Sequence, residues 1–506
     1  MIEIEINQHP LSLQELRAAW RGPVSVRLSD AARTRLTASN EKVREVLESG
    51  KEVYGVNTGF GLLANVHVGD EELDRLQENL IRSHAVGMGE RLPDSIVRLV
   101  LLMKVKALAE GYSGVRPALV EALCGLINEG IYPVLPRKGS VGASGDLAPL
   151  AHLSCALIGA GNVRVDGAEK TATEALASAG IKPVRLQPKE GLALLNGTQV
   201  STALALAAAF RTEDLLSAAL VAGAMSTDAL QGSDSPFDER IHAIRGHAGQ
   251  QDVAAALRRL LAGSDIRASH VDCDRVQDPY SIRCQPQVMG ACLDVLRSAC
   301  GVLGTEASAV TDNPLVFDDA VLSGGNFHAE PVAFAADHLA LAIAEIGSLC
   351  ERRIALLVDP KMSGLPAFLV RESGLNSGFM MVQIVAAALA SENKMLSHPA
   401  SVDSIPTSAN QEDHVSMATH GAARLHDMLD NTANIVAIEL LSAAQGIDFH
   451  QPHTSSSLLQ EAHAAIRRIS PPYETDRSLK PDVDELAGLI SAGHFYRYCE
   501  QILPAA

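Results

Sequence analysis

The feature that most constrains this 506-residue chain is a set of long apolar stretches built from small side chains. Roughly residues 200–230, 286–310, 328–357, 378–396 and 413–446 are rich in Ala and Leu, with polar residues at helical intervals. Several exceed the usual length of a globular helix, so together they predict a helical bundle. Hydrophobic residues make up 47% of the chain and aromatics only 4%. The apolar mass therefore packs through Ala, Leu, Val and Ile, which lets helices approach closely. The length allows more than one core, and the pattern changes near residue 200 without a flexible linker. That predicts a first region over 1–200 and a long-helix region over 201–506.

The formal net charge of −18 argues against nucleic acid or an anionic membrane as partner. The opening MIEIEINQHPLSLQELRAAW has neither a basic nor an apolar leader pattern, and the apolar segments are broken by Asp, Arg and Glu. Eight cysteines, from Cys124 to Cys499, include no CxxC pair and read as reduced, mostly buried residues. These features predict a soluble, cytoplasmic protein.

Chemistry concentrates in KGSVGASGDLAPLAHLS, Lys138 to Ser154. At its centre Gly142, Ala143, Ser144 and Gly145 precede Asp146, and such small residues permit backbone shapes that others forbid. One reading is a tight turn with Ser144 or Asp146 capping an apolar helix from Leu147 to Ala160. A nucleophile elbow is excluded, because Asp146 stands where its last glycine belongs. A third reading is covalent: the Gly145 nitrogen attacks the Ala143 carbonyl carbon, and loss of two waters leaves an exocyclic methylidene on a five-membered ring. GSVGASGDLAPLAHLS resembles the signature of the aromatic amino acid ammonia-lyases. The resemblance implies a 4-methylidene-imidazol-5-one group formed autocatalytically from Ala143, Ser144 and Gly145, with no metal or nucleotide.

Other strings are read in the same two ways. VYGVNTGFGLLANVHV, Val53 to Val68, is a glycine-rich loop in which Tyr54 and Phe60 flank the glycines. YGVNTGFG looks like that family's lid segment, which makes Tyr54 the base. LQENLIRSHAVG, Leu76 to Gly87, reads as a helix with Ser83 and His84 near its negative end. The Ser-His pair resembles the histidine-acting members, in which it reads the substrate's ring. Asn196-Gly197 is a turn signal in an apolar run, and LLNGTQ resembles a family string that makes Asn196 a site residue. In DRVQDPYSIRCQPQVMG, residues Gln277, Tyr280 and Arg283 recur at three-residue spacing, so a helical turn would put them on one face. Arg suits bidentate carboxylate binding. The family likeness gives Arg283 the substrate carboxylate, and Tyr280 and Gln277 the orienting of the reacting groups. His328 with Glu330 supplies fewer ligands than a metal needs; Phe327 resembles a ring-packing residue, and Asn313 an ordering one. Gln411 to His414 are read as introducing the last long helix, where first-turn carboxylates suit the positive dipole end. Glu412 and Met380 resemble the histidine-acting subgroup, because a carboxylate accepts an imidazole N–H.

These strings run from Tyr54 to Met417. The resemblance implies a mainly α fold of the fumarase/aspartase kind, in which a smaller N-terminal domain carries the cofactor loop beside a long central helical bundle. It also implies a homotetramer with shared active sites, and elimination of ammonia from L-histidine to give trans-urocanate, the first step of histidine degradation. The alternatives are another aryl ammonia-lyase or aminomutase of that family, and a helical scaffold that never closes the ring.

Overall fold

The computed structural model describes residues 2–49, 57–58, 68–270 and 276–506, and its elements are mainly helices. Four of the long apolar stretches fold close to their expected limits, as Gln199–Ala229, Gln285–Glu306, Glu330–Val358 and Met380–Leu396. The fifth starts later than expected, at Ala418, and ends at Asp448. Met417 has φ 55 and donates its N–H to the Val141 carbonyl at 3.0 Å. Ser404 Oγ accepts the Val415 N–H at 2.9 Å. These bonds hold the preceding residues as a loop, so Glu412 and Asp413 do not serve the helix dipole.

Packing divides the chain into two compact units. One comprises Met1–Ala207, Cys300–Asp337 and Pro399–Ala423; the other comprises Ala208–Ala299, His338–His398 and Arg424–Ala506. In the first unit, strands Ile2–Ile6 and Val24–Leu28 pair in parallel across the Leu13–Arg21 helix. Ser12 and Glu15 start that helix as a reciprocal capping box. A hairpin forms from Asn162–Val165 and Ala168–Thr171. The centre of this unit is the Asp94–Ala109 helix, buried on every face from Ile96 onward. An all-round apolar helix has no solvent side to offer and belongs in a core.

In the second unit, glycine sets the distance between helices. A Cβ on Gly249 would stand 2.3 Å from the Gly290 carbonyl oxygen, and one on Gly290 would stand 2.5 Å from Gln250 Cα. The Ala248–Leu261 and Gln285–Glu306 helices therefore touch backbone to backbone. By length and composition alone, Gln285–Glu306 and Glu330–Val358 reach the span of a membrane crossing. Glu330–Val358 is mostly buried within the protein and carries Asp337, Glu345, Glu351, Arg352 and Arg353, which is the pattern of a core helix.

One of those charges anchors the second unit. Arg353 is fully buried and meets Glu439 in two parallel bonds, Nε to Oε1 at 2.5 Å and Nη2 to Oε2 at 2.9 Å. Ser226 Oγ donates to the same Glu439 Oε1 at 2.7 Å. A buried guanidinium left without its carboxylate costs far more than the pair contributes. Glu439→Gln is expected to lower unfolding free energy by roughly 3–5 kcal/mol, read as an earlier urea midpoint. An unchanged midpoint would mean that the pair is not buried.

Candidate active site

Folding turns the small residues at 142–145 into a pinched loop. Gly142 and Gly145 bridge to each other, and Ser144 between them sits in the left-handed region at φ 52. A non-glycine residue held there stores about 1–2 kcal/mol of strain. Two close approaches keep it there. A Cβ on Gly142 (φ +81) would lie 2.2 Å from Ser416 Oγ, and one on Gly145 (φ +82) would lie 2.2 Å from the Gly197 carbonyl oxygen. Torsion favours glycine at both positions, and at 145 space requires it too, because the atoms met there are backbone.

The next residue fastens the loop to the core. Asp146 is fully buried, and it precedes the Leu147–Leu157 helix without capping it through its side chain. Its carboxylate instead accepts Val200 N–H at 2.9 Å, Ser201 N–H at 2.7 Å and Ser201 Oγ–H at 2.9 Å, all at the start of the Gln199–Ala229 helix. Thr419 Oγ1 donates to the other oxygen at 2.5 Å. Burial pushes this carboxyl up, and these donors pull it back toward the charged form. The Asp146 N–H donates to the Gly197 carbonyl at 2.8 Å.

Above the loop lies a cavity of about 440 Å³ lined by Gly142, Ala143, Ser144, Asn313, Phe327 and Glu412 among others. Glu412 is turned toward the loop by Thr407: Thr407 Oγ1 donates to Oε2 at 2.8 Å, and the Glu412 N–H donates to the Thr407 carbonyl at 3.3 Å. The other carboxylate oxygen, Oε1, accepts from Ser144 Oγ at 3.4 Å. Asn313 Oδ1 accepts the Gly324 N–H at 2.7 Å and shapes the cavity wall. His328 stacks on His414 at 5.7 Å and lies 4.0 Å from Glu330.

A second cavity, of about 230 Å³, opens on the same loop and is lined by Ser83, His84, Ser140, Ala143 and Gly145. His84 is the last residue of the Leu73–His84 helix. Its Nδ1 lies 2.8 Å from the Leu80 carbonyl oxygen, which can only accept. Nδ1 therefore carries the hydrogen, and a neutral ring presents Nε2 as an acceptor. Behind the helix end, His152 Nε2 accepts the Gly87 N–H at 3.0 Å, and burial lowers its pKa.

The first unit thus brings together Ala143, Ser144, Gly145, Asn313, Phe327 and Glu412, with His84 on the second cavity. Asn196 lies beneath the loop: its Nδ2 donates to the Asn313 carbonyl at 2.7 Å. Tyr54 lies outside the described residues. Gln277, Tyr280, Arg283 and Met380 belong to the second unit. Gln277 precedes the Tyr280–Arg283 turn, because Pro279 starts that turn; the expected shared face therefore holds only Tyr280 and Arg283. The guanidinium packs over the Tyr280 ring at 4.7 Å, Tyr280 is 71% exposed, and Arg283 Nε has no partner among the described residues. Met380 opens its helix and is half-buried.

Sequence reading missed the polar groups under the loop. Lys189 Nζ pairs with Asp312 Oδ2 at 2.6 Å, and Lys104 Nζ donates to the Asn196 carbonyl at 2.6 Å. Burial pushes the Lys104 ammonium down to about 7. In an unfolded chain it returns to about 10.4. Between those values the unfolded chain holds the extra proton, so stability rises with pH across that window and levels off below it. From about pH 7 to 10, wild-type unfolding free energy is expected to climb by up to ~1.4 kcal/mol per pH unit more steeply than that of Lys104→Met. Parallel curves would mean that this ammonium is solvated.

Residues 11–468 match the family model for aromatic amino acid lyase. A histidine ammonia-lyase of Desulfotalea psychrophila is 57% identical over 495 residues, 97% of each chain. The crystal structure of a histidine ammonia-lyase from Trypanosoma cruzi is similar with a TM-score of 0.91 at 40% identity, covering 99% of this chain and 96% of that one. A tyrosine aminomutase from Streptomyces globisporus is similar at 0.93 and 34% identity, covering 99% of both chains.

Proposed function

This chain belongs to the aromatic amino acid lyase family, and we propose that it removes ammonia from L-histidine to leave trans-urocanate. The observation that carries the choice of histidine is Glu412, whose carboxylate faces the Ser144 loop across a cavity. A carboxylate fixed there accepts an imidazole N–H, and a phenyl ring leaves it unpaired. The full-length likeness to histidine ammonia-lyases supports the same choice. His84, with Nε2 free to accept, serves as the second reader of the ring.

The loop fits the family's methylidene-imidazolone group. Ser144 already sits at positive φ, and Gly145 presents a backbone nitrogen with no side chain to shield it. Closure joins the Gly145 nitrogen to the Ala143 carbonyl carbon. The first water takes the Ala143 oxygen with hydrogens from the Gly145 and Ser144 nitrogens; the second takes the Ser144 hydroxyl with the Ser144 Cα hydrogen. The group so formed supplies an electrophilic carbon that no standard side chain offers and turns the substrate amine into a better leaving group.

The rest falls to side chains of the chain itself. Tyr54 is the base for the β-hydrogen; a free phenol has a pKa of about 10, so nearby donors must lower it. Arg283, with an unpartnered Nε, holds the substrate carboxylate. Tyr280 and Gln277 orient the reacting groups, with Asn196 below the loop, and Phe327 and Met380 bind the substrate. The chain assembles as a homotetramer with shared active sites. Exposed Leu341, Met381, Ile384, Val385 and Met395 support such assembly, since a solitary chain gains nothing from apolar helix faces in water. The described cysteines form no disulfide, which suits a cytoplasmic home.

Incubation with L-histidine is expected to release ammonia and raise urocanate absorbance. Ser144→Ala is expected to fold, to keep its full sequence mass, and to produce none; near wild-type turnover would end the cofactor assignment. Glu412→Gln should lose about 2–4 kcal/mol of transition-state binding for histidine, a ~30- to ~1,000-fold fall in kcat/KM, with little change in melting temperature. Equal activity with a lowered melting temperature would make Glu412 a purely structural residue.

A further inference from the structure

Lys104 is a costly residue with no role in the reaction as described. It sits inside the core helix of the first unit and is 1% exposed; Asp312 and Asp146 act on it by charge, and its hydrogen bonds go to carbonyls. Burying a lysine in such a place is unfavourable, as its lowered pKa reflects. A leucine or methionine would fill the space without that cost. What the amine does is donate to two carbonyls, Asn196 at 2.6 Å and Ala193 at 3.3 Å. Both lie at the end of the short Glu190–Leu195 helix, where carbonyls are left without intrahelical partners. The other end is fixed by Lys189, paired with Asp312, and by Glu190, held by Arg116 at 2.7 Å.

The Asn196 carbonyl adjoins Gly197, and Gly197 is the floor of the reactive loop. Its oxygen accepts the Asp146 N–H at 2.8 Å and stands 2.2 Å from where a Gly145 Cβ would be. Its nitrogen faces the Ser144 carbonyl at 3.5 Å. A small movement of residues 196–197 therefore opens the space into which Ala143, Ser144 and Gly145 are folded.

We propose that Lys104 is a positioning residue for ring closure: by gripping the Asn196 carbonyl it holds Gly197 under the loop and keeps the Gly145 nitrogen folded toward the Ala143 carbonyl carbon. This rests on the reading that these residues lose two waters. The step forms one C–N bond, expels the Ala143 oxygen and the Ser144 hydroxyl as water, and needs no co-reactant. Lys104 neither gives nor takes an atom in it.

The test is the intact mass of the full-length chain, for wild type, Lys104→Met and Lys104→Gln, each checked for wild-type circular dichroism. Wild type is expected two waters below its sequence mass. Folded Lys104→Met should contain at least tenfold fewer dehydrated chains. Lys104→Gln keeps an N–H donor, now on an amide, but its side chain is one bond shorter than lysine's. It should be a mixture of full-mass and dehydrated chains, and it decides the question if the methionine variant is not recovered folded. Complete dehydration of either folded variant, even with a lowered melting temperature, would overturn the role. A wild type at full sequence mass would remove the cofactor reading itself and this proposal with it, an outcome distinct from wild type and variant being dehydrated alike.

Discussion

The Asp146 carboxylate is the junction on which the site depends. It belongs to the loop by sequence and to a distant helix by bonding, since it satisfies the Val200 and Ser201 N–H groups that open the Gln199–Ala229 helix. Those donors have no partner inside their own helix. One side chain thereby closes a helix end and ties down the residue after Gly145. Thr419, at the start of another long helix, adds a bond to the same carboxylate. The loop is consequently held by elements far apart in sequence, and its strain at Ser144 is maintained by packing that forms whether or not any substrate is present.

Buried charge in this protein is concentrated where backbone must be held still. Lys189 with Asp312, Arg116 with Glu190, and Lys104 with two carbonyls all converge on the six residues from Glu190 to Leu195 and their cap. A helix that short has little stability of its own. Ion pairs and donors at both ends give it a fixed position that propensity cannot supply. The isolated pair of Arg353 and Glu439 does similar work in the second unit, between two long helices.

Much of this was readable from residues alone, for a physical reason: period and turn chemistry are local. The long helices followed from Ala and Leu at helical spacing, and the 142–145 turn from consecutive small residues. The missed features depend on contacts remote in sequence. Nothing local says that 300–337 and 399–423 pack with the first unit. Asp146 looked like a cap for its own helix, and only the fold shows it capping another. Glu412 was legible as a candidate, yet its supposed place in a helical turn was wrong, because the Met417–Val141 bond delays the helix. Lys104 did leave a trace: in LVLLMKVKALA a lysine is flanked by apolar residues on every helical face. Its two carbonyl partners lie about ninety residues downstream, beyond any local pattern.

The two glycines that pinch the loop also govern which changes the gene can explore. Every nucleotide change that replaces a glycine codon with another amino acid adds a Cβ, because glycine alone lacks one. At 142 and 145 that atom meets Ser416 and Gly197 at 2.2 Å. The partner of Gly145 is itself confined, since Gly197 sits at φ +126 with Gln199 and Thr311 against it. No single coding change at Gly145 therefore leads to a loosened but working loop. New substrate preference has to enter through the walls of the cavities, at Ser83, His84, Phe327 and Glu412, while the floor stays as it is.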